Sequence, residues 1–204
     1  MDVDIYRRGF KLVEYIYDNQ IQDLELFRIR DVGNGLAESH WKSKQWLVDE
    51  LSEFIFNEDI HIAAGWLGLT GYLLRKEFPQ NYITCSDMDP GCKVMGEFLF
   101  EGHDITYRTM DTVLDIERIA PNCQVYINTS IEHIHQKNVD KIISSLRPGT
   151  IVALQSNNYF SVADHVNCKN SFDEFANSIN LSYYLYTGEM EFKNYDRYMV
   201  IGIV

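Results

Sequence analysis

Two neighbouring segments limit the fold of this chain more than any others. An apolar strand, 60–64, runs into a turn at 65–71 that contains three glycines, and a second strand ends on Asp87 and Asp89. Glycines let the backbone approach a ligand closely, and a carboxylate at the tip of the neighbouring strand, roughly 20 residues on, can hold ribose hydroxyls. The combination is typical of a parallel α/β sheet with a nucleoside pocket.

Strand and helix patterns alternate from residue 60 onward. The predicted strands are 60–64, 82–86, 105–109, 123–128 and 150–156, and the predicted helices between them are 70–77, 91–102, 112–119 and 132–146. This alternation predicts βαβ units, and therefore a doubly wound, mostly parallel sheet. Two further strand-like segments, 181–186 and 198–204, have no helix between them, so they predict an antiparallel hairpin at the C-terminal end of the sheet.

The N-terminal part of the chain differs from the rest. Residues 1–57 are predicted to form a helical cap or lid, and residues 58–204 the unit that contains the sheet. Leu47 and Leu51 belong to an apolar face at helical spacing. The glycine-containing segment 31–35 predicts a turn between two helices of the cap.

The tryptophans of the cap are given different roles. Trp46 adjoins the apolar face that contains Leu47, so it is predicted to lie in the core. Trp41, with His40, follows the glycine-containing segment and is the better candidate for a lid over a bound substrate.

Charge limits the partners of this chain. Its 204 residues carry a net charge of −12, and proteins that grip nucleic acid usually present a basic face. The close-set basic residues are mixed with Asp31 and Glu38; they are Arg28, Arg30, Lys42 and Lys44. Nucleic acid is therefore an unlikely partner.

Cysteines and apolar stretches suggest a cytoplasmic protein. The four cysteines form no C-x-x-C pair and no metal-like spacing with histidine, which predicts buried thiols in a reducing compartment and no metal. His165 and Cys168 are predicted to lie in a surface loop. No apolar stretch is long enough to span a bilayer, and the first residues lack a hydrophobic signal core, so no membrane partner is expected.

The candidate site residues lie where the predicted strands end, which is where ligands bind in doubly wound sheets, and most of them are polar. In chain order they are Gly65, Trp66, Gly68, Asp87, Met88, Asp111, Thr112, Asn128, Glu132, His133, Asn157, Asn158 and Tyr159. A dinucleotide needs room for its pyrophosphate beside the turn, and the bulky Trp66 reduces that room, which disfavours a nicotinamide-dependent oxidoreductase. S-adenosylmethionine has no phosphate and needs acids for its ribose and its adenine, so it is the favoured ligand.

Residues 60–204 resemble the class I S-adenosylmethionine-dependent methyltransferases, a seven-stranded, Rossmann-like family. The resemblance is carried by the turn 64–68, the acidic segment 86–90, Asp111, the segment 127–134, the helix end 146–149 and the closing antiparallel strand.

The resemblance implies S-adenosylmethionine as cofactor and a role for each matching residue. Gly65, Trp66 and Gly68 would meet the methionine moiety, with Asn128 near the same end. Asp87, followed by Met88, would hold the ribose. Asp111 and Thr112 would hold the adenine.

Methyl transfer to a small molecule or a protein side chain also needs an acceptor site. Glu132 and His133 are candidates for a base, although Glu132 could simply favour a helix N-terminus and His133 could be a packed residue. The acceptor-binding candidates are Asn157, Asn158, Tyr159 and Trp41.

An alternative of a different class stays open, a catalytically silent module of the same fold that serves as a binding or assembly partner. Ala63 and Ala64 stand where the family carries an acid before its glycine turn. The loss of that acid motivates this alternative.

Overall fold

A computed structural model describes residues 2–18 and 25–204 of the chain. Its seven strands form one sheet in the order β3-β2-β1-β4-β5-β7-β6. They are β1 (Ile60–Ala63), β2 (Ile83–Asp87), β3 (Thr106–Thr109), β4 (Val125–Asn128), β5 (Ile151–Asn157), β6 (Tyr183–Glu191) and β7 (Asp196–Ile203). Strands β1 to β5 pair in parallel, and β7 pairs antiparallel with both β5 and β6. This confirms the predicted doubly wound sheet and its terminal hairpin.

Helices cover both faces of this sheet. They are α1 (Val3–Asp18), α2 (Glu25–Gly35), α3 (Glu38–Leu51), α4 (Leu69–Glu77), α5 (Pro90–Leu99), α6 (Ile116–Ile119), α7 (Gln136–Ser145) and α8 (Phe172–Asn177). Helices α1 to α5 pack into one hydrophobic cluster, and α6 to α8 into a second cluster on the opposite face.

The central strands are apolar because both of their faces are buried. In β4, Val125 and Ile127 point into the first cluster, while Tyr126 between them points into the second. Neither face is left for solvent, so the strand reads as a continuous apolar run with one polar residue, Asn128, at its end.

The predicted turn at 31–35 is wrong, because these residues form the last part of α2. Val32 is buried in the first cluster, and a side chain at position 35 would meet Leu67, since a Cβ on Gly35 would lie 2.6 Å from Leu67 Cδ1. The glycine therefore allows α2 to approach the turn after β1 and does not break the helix.

The predicted helix at 112–119 is also shorter than expected. The carboxylate of Asp111 accepts the N–H groups of Val113 and Leu114 at 2.8 and 3.1 Å, and Asp115 accepts the N–H of Asp111 at 3.1 Å. These local side-chain bonds compete with helical bonds and hold residues 111–115 in a turn. Only Ile116–Ile119 is α-helical.

Two glycines in helices test this packing in opposite directions. A Cβ on Gly96 would lie 2.4 Å from Tyr107 Cε1 and 3.0 Å from the carbonyl oxygen of Leu67, whereas Gly33 is exposed and has no atom within 4 Å of such a Cβ. We expect Gly96→Ala to destabilise the fold by about 1–3 kcal/mol through overpacking. We expect Gly33→Ala to stabilise it by about 0.5–1 kcal/mol through helix propensity. Urea unfolding followed by circular dichroism measures both, and equal effects would contradict this packing.

Candidate functional site

A buried ion pair lies at the edge of the sheet where the parallel strands end. Glu132, in the short turn after β4, accepts a hydrogen bond through Oε1 from Arg197 Nη1 at 2.9 Å and from Asn157 Nδ2 at 2.7 Å. Arg197 also donates to the carbonyl oxygen of Thr129. The three polar side chains are at most 5% exposed. Together they join the ends of β4 and β5 to the start of β7.

Several buried polar atoms near this pair have no hydrogen-bond partner in the part of the chain that the structure describes. They are Glu132 Oε2, Arg197 Nε, Asn128 Nδ2, Gln155 Oε1 and Ser156 Oγ. A buried polar group without a partner costs about 1–3 kcal/mol. Their concentration at one edge of the sheet is typical of a site that takes a ligand, a water or an ion.

The cap contributes two nitrogen-bearing side chains to the same edge. The pKa of Lys44 lies well below its usual value, because burial and the charge of Arg197 lower it by more than the carboxylate of Glu132 raises it. Burial and the charges of Lys44 and Arg197 lower the pKa of His40 to about 3. The ring of His40 lies 5.5 Å from that of Trp66, so α3 covers the turn after β1. His40 was predicted with Trp41 as part of a lid, whereas Lys44 was not among the predicted site residues.

Trp41 faces the other side of the cap helix. Its ring stacks on Tyr6 at 6.4 Å and meets the edge of Tyr72 at 6.1 Å, and it is buried among α1, α3 and α4. Its predicted contact with an acceptor is untested by this packing and stays a prediction. Trp46 packs partly buried against the first cluster, and its Nε1 donates to the Tyr186 hydroxyl at 3.0 Å.

The turn after β1 is strained and is held by the acid of β2. Ala64 and Trp66 adopt left-handed backbone conformations with φ of 49° and 48°, which cost about 1–2 kcal/mol each in residues other than glycine. The N–H of Trp66 donates to Asp87 Oδ2 at 2.9 Å, and the N–H of Asp89 donates to Oδ1 at 3.0 Å. Burial nevertheless raises the pKa of Asp87.

A second ion pair ties the cap to the tip of β2. Arg28 of α2 donates to both carboxylate oxygens of Asp89, at 2.6 and 2.9 Å, and this contact lowers the pKa of Asp89. Asp89 also caps α5 by accepting the N–H of Gly91 at 2.8 Å. Met88 between the two acids is exposed. Of the close-set basic residues, Arg28 is therefore paired and Lys44 is buried.

The remaining predicted residues have mixed placements. Thr112 lies on the second face, where its hydroxyl bonds that of Tyr126 at 2.6 Å, and Asp111 holds the turn described above. Asn158 bonds Asp196 through its side chain, and Tyr159 stacks on Tyr195. The structure thus brings Glu132 and Asn157 together with Arg197, which was not among the predicted residues. His133 follows Glu132 directly and lies near it.

No protein-family model matches this chain, and no curated protein is similar to it in sequence. Solved structures are similar in fold. An O-methyltransferase family protein from Burkholderia thailandensis is 14% identical with a TM-score of 0.59, the match covering 98% of this chain and 71% of that one. The mitomycin 7-O-methyltransferase MmcR is 11% identical with a TM-score of 0.62, over 98% and 68% of the two chains.

The N-methyltransferase NodS from Bradyrhizobium japonicum WM9 is 11% identical with a TM-score of 0.61, and the match covers 83% of this chain and 98% of that one. With the strand order described above, these likenesses show that the chain has the Rossmann-like fold of the class I S-adenosylmethionine-dependent methyltransferases. The fold resemblance predicted from the sequence is confirmed.

Two further findings concern the environment of the protein. Within residues 2–18 and 25–204, none of the helices combines the length and the apolar character that crossing a membrane requires. All four cysteines are free, and Cys85, Cys92 and Cys123 are buried.

The histidine of the cap predicts a pH dependence of stability. The pKa of His40 is about 3 in the folded protein, below the value of about 6.5 for an unfolded chain. As the pH falls below 6.5, the unfolded chain therefore binds a proton that the folded one does not, and stability is lost. In His40→Gln, we expect the loss between pH 7 and pH 5 to be about 2 kcal/mol smaller.

Urea unfolding at several pH values measures this difference. The matched control is His135→Gln, since His135 is exposed and its replacement should leave the pH dependence unchanged. If the His40 variant lost as much stability as the parent protein, His40 would not be shielded from protons in the folded state.

Proposed function

We propose that this protein is an S-adenosylmethionine-dependent methyltransferase that acts on a small molecule or a protein side chain. The observation that carries the proposal is the acid of β2 beside the turn after β1, joined through the Trp66 N–H and Asp87. In this fold, that corner receives the nucleoside part of the ligand. The similar structures support the fold alone, because their identities to this chain are low.

The residues of the corner fit most of this cofactor. Asp87 accepts backbone N–H groups, but a carboxylate has about four acceptor positions, so it has room for a ribose hydroxyl. The unpartnered Nδ2 of Asn128 is a donor suited to the carboxylate of a methionine moiety. Ala63 and Ala64 provide no acid for its ammonium group. Gly65, Gly68 and Met88 complete the proposed cofactor site, and Asp111 and Thr112 remain the proposed adenine side.

The cofactor supplies a methyl group on a positively charged sulfur, and the chain must orient the acceptor and exclude water. The cap does the latter in this proposal, because the Arg28–Asp89 pair and the contact of His40 with Trp66 cover the corner. In this proposal residues 1–57 form the cap and residues 58–204 the unit that contains the sheet.

The methyl acceptor is proposed to bind beside the ends of β4 and β5. Glu132 and His133 stand where a proton leaving an acceptor hydroxyl or amine would be taken up. The loop that carries Asn157, Asn158 and Tyr159 would contact the acceptor. We also place the protein in the cytoplasm, where free cysteines such as its four persist.

One observation favours a second candidate, a silent module of this fold that binds a protein partner. Trp66 occupies a left-handed position in the turn, and its ring lies beside His40 of the cap. A ligand that reaches the turn backbone must displace these rings. If the two rings stay in place, the protein keeps surfaces that can bind a partner but does not bind the cofactor.

Isothermal titration with S-adenosylhomocysteine and S-adenosylmethionine separates the two candidates. We expect micromolar binding by the parent protein and at least tenfold weaker binding by Asp87→Ala, which corresponds to about 1.4 kcal/mol. Asp87→Asn keeps an acceptor for the Trp66 N–H and should bind with intermediate affinity.

The matched control is Asp173→Ala, an exposed acid at the start of α8, and it should bind like the parent. Absence of binding by the parent protein at millimolar ligand would reject the methyltransferase proposal. A stable complex with another protein would then favour the silent module.

A further inference from the structure

We propose that Glu132, His133 and His165 bind a divalent transition-metal ion. One carboxylate oxygen of Glu132 and one ring nitrogen of each histidine all lie within 4.8 Å of one another. The sequence predicts no metal and a surface loop at His165, because no partner ligands are evident beside it; 32 positions separate the two histidines along the chain. The fold removes that separation.

Backbone hydrogen bonds hold the loop after β5 against the turn after β4. The N–H groups of Val166 and Asn167 both donate to the carbonyl oxygen of Glu132, at 2.8 and 2.9 Å. His165 is therefore fixed beside His133, with ring centroids 4.6 Å apart and ring planes at 90°. The backbone of the loop therefore holds His165 close to Glu132 and His133.

Glu132 offers one oxygen that nothing else uses. Its Oε1 is occupied by Arg197 and Asn157, but its Oε2 is buried and has no hydrogen-bond partner among the described residues. The side chain is only 5% exposed. A buried carboxylate oxygen without a partner is costly, and a bound cation beside it would remove that cost.

Both histidines have a hydrogen-bond acceptor beside Nδ1. Nδ1 of His133 lies 3.1 Å from the carboxylate of Asp164, and Nδ1 of His165 lies 2.8 Å from the carbonyl oxygen of Tyr159. Each partner accepts a hydrogen from Nδ1, which leaves Nε2 with its free lone pair. Ligating histidines typically donate their other N–H to a carboxylate or a carbonyl in this way.

The ligand set indicates the kind of metal. Two imidazoles and one carboxylate suit Zn²⁺, Mn²⁺, Fe²⁺ or Co²⁺, whereas Ca²⁺ and Mg²⁺ prefer oxygen ligands alone. Three protein ligands also leave coordination positions open for water or for a substrate atom. Arg197 occupies the other carboxylate oxygen, which leaves Glu132 one oxygen for the metal.

The role of the ion rests on the proposed function. The cluster lies beside the loop that carries Tyr159, on the acceptor side of the sheet edge. A cation there would bind an acceptor hydroxyl and lower its pKa, so that the hydroxyl proton leaves to solvent. The oxygen would then form a bond to the methyl carbon as the bond from that carbon to sulfur breaks and S-adenosylhomocysteine leaves. In this case Glu132 and His133 act as ligands in place of the base role proposed above.

Metal binding can be measured without any methyl acceptor. The full-length protein, freed of metal by a chelator, is titrated with Co²⁺ and with Zn²⁺, and the bound metal is counted by elemental analysis. We expect one ion per chain and a visible Co²⁺ spectrum of low coordination number. His165→Gln and Glu132→Gln should each weaken binding at least tenfold, and Asp164→Asn, which only removes the negative charge beside His133 Nδ1, should weaken it less.

The matched control is His135→Gln, because this exposed histidine lies two residues from His133 and outside the cluster. It should bind metal like the parent protein. Circular dichroism checks that each variant is folded, and His133→Gln, at a half-exposed position, provides a second test if Glu132→Gln unfolds. Absence of stoichiometric binding at micromolar metal, or equal binding by His165→Gln and the parent, would overturn the proposal.

Titration of the same variants with S-adenosylhomocysteine keeps the two proposals separate. Loss of metal with cofactor binding retained supports the metal site alone. Metal binding by a protein that binds no cofactor leaves the metal site standing and rejects the methyltransferase proposal.

Discussion

The buried contact between Glu132 and Arg197 determines the geometry of the whole carboxyl edge of the sheet. Taking two charges out of water costs several kcal/mol for each ion, and removing one partner of such a pair typically costs about 3–5 kcal/mol. An apolar pair of the same volume would give comparable stability, so stability alone does not explain the charges. Asn157 also bonds this carboxylate, and the unpartnered oxygen of Glu132 is the feature on which the proposed metal site depends.

Much of the fold was predictable because two-sided burial leaves apolar runs in the sequence. The five parallel strands were predicted to within about two residues at each end. Prediction failed where a residue serves a contact that is distant in sequence or strictly local. Gly35 looks like a turn residue, yet it allows α2 to approach Leu67. Asp111 lies in a segment of helical pattern, yet its carboxylate holds a turn.

The site was predictable only in part, for a reason that lies in strand direction. Asp87, Glu132 and Asn157 follow parallel strands, so the rule for carboxyl ends finds them. Arg197 stands at the beginning of an antiparallel strand, which reaches the same edge from the opposite direction. His165 lies within a loop, and no periodicity relates it to His133. The backbone bonds of Val166 and Asn167 to Glu132 bring it there.

The order of synthesis has a consequence for the acid at the centre of this edge. Arg197 follows Glu132 by 65 residues, so a growing polypeptide exposes the carboxylate long before its counter-charge exists. Until the strand that begins at Asp196 has paired with β5, Glu132 lacks its counter-charge, and burying it would be costly. Docking of that last hairpin is therefore the step that first permits this acid to leave water, and nascent chains that stop before it cannot complete this corner.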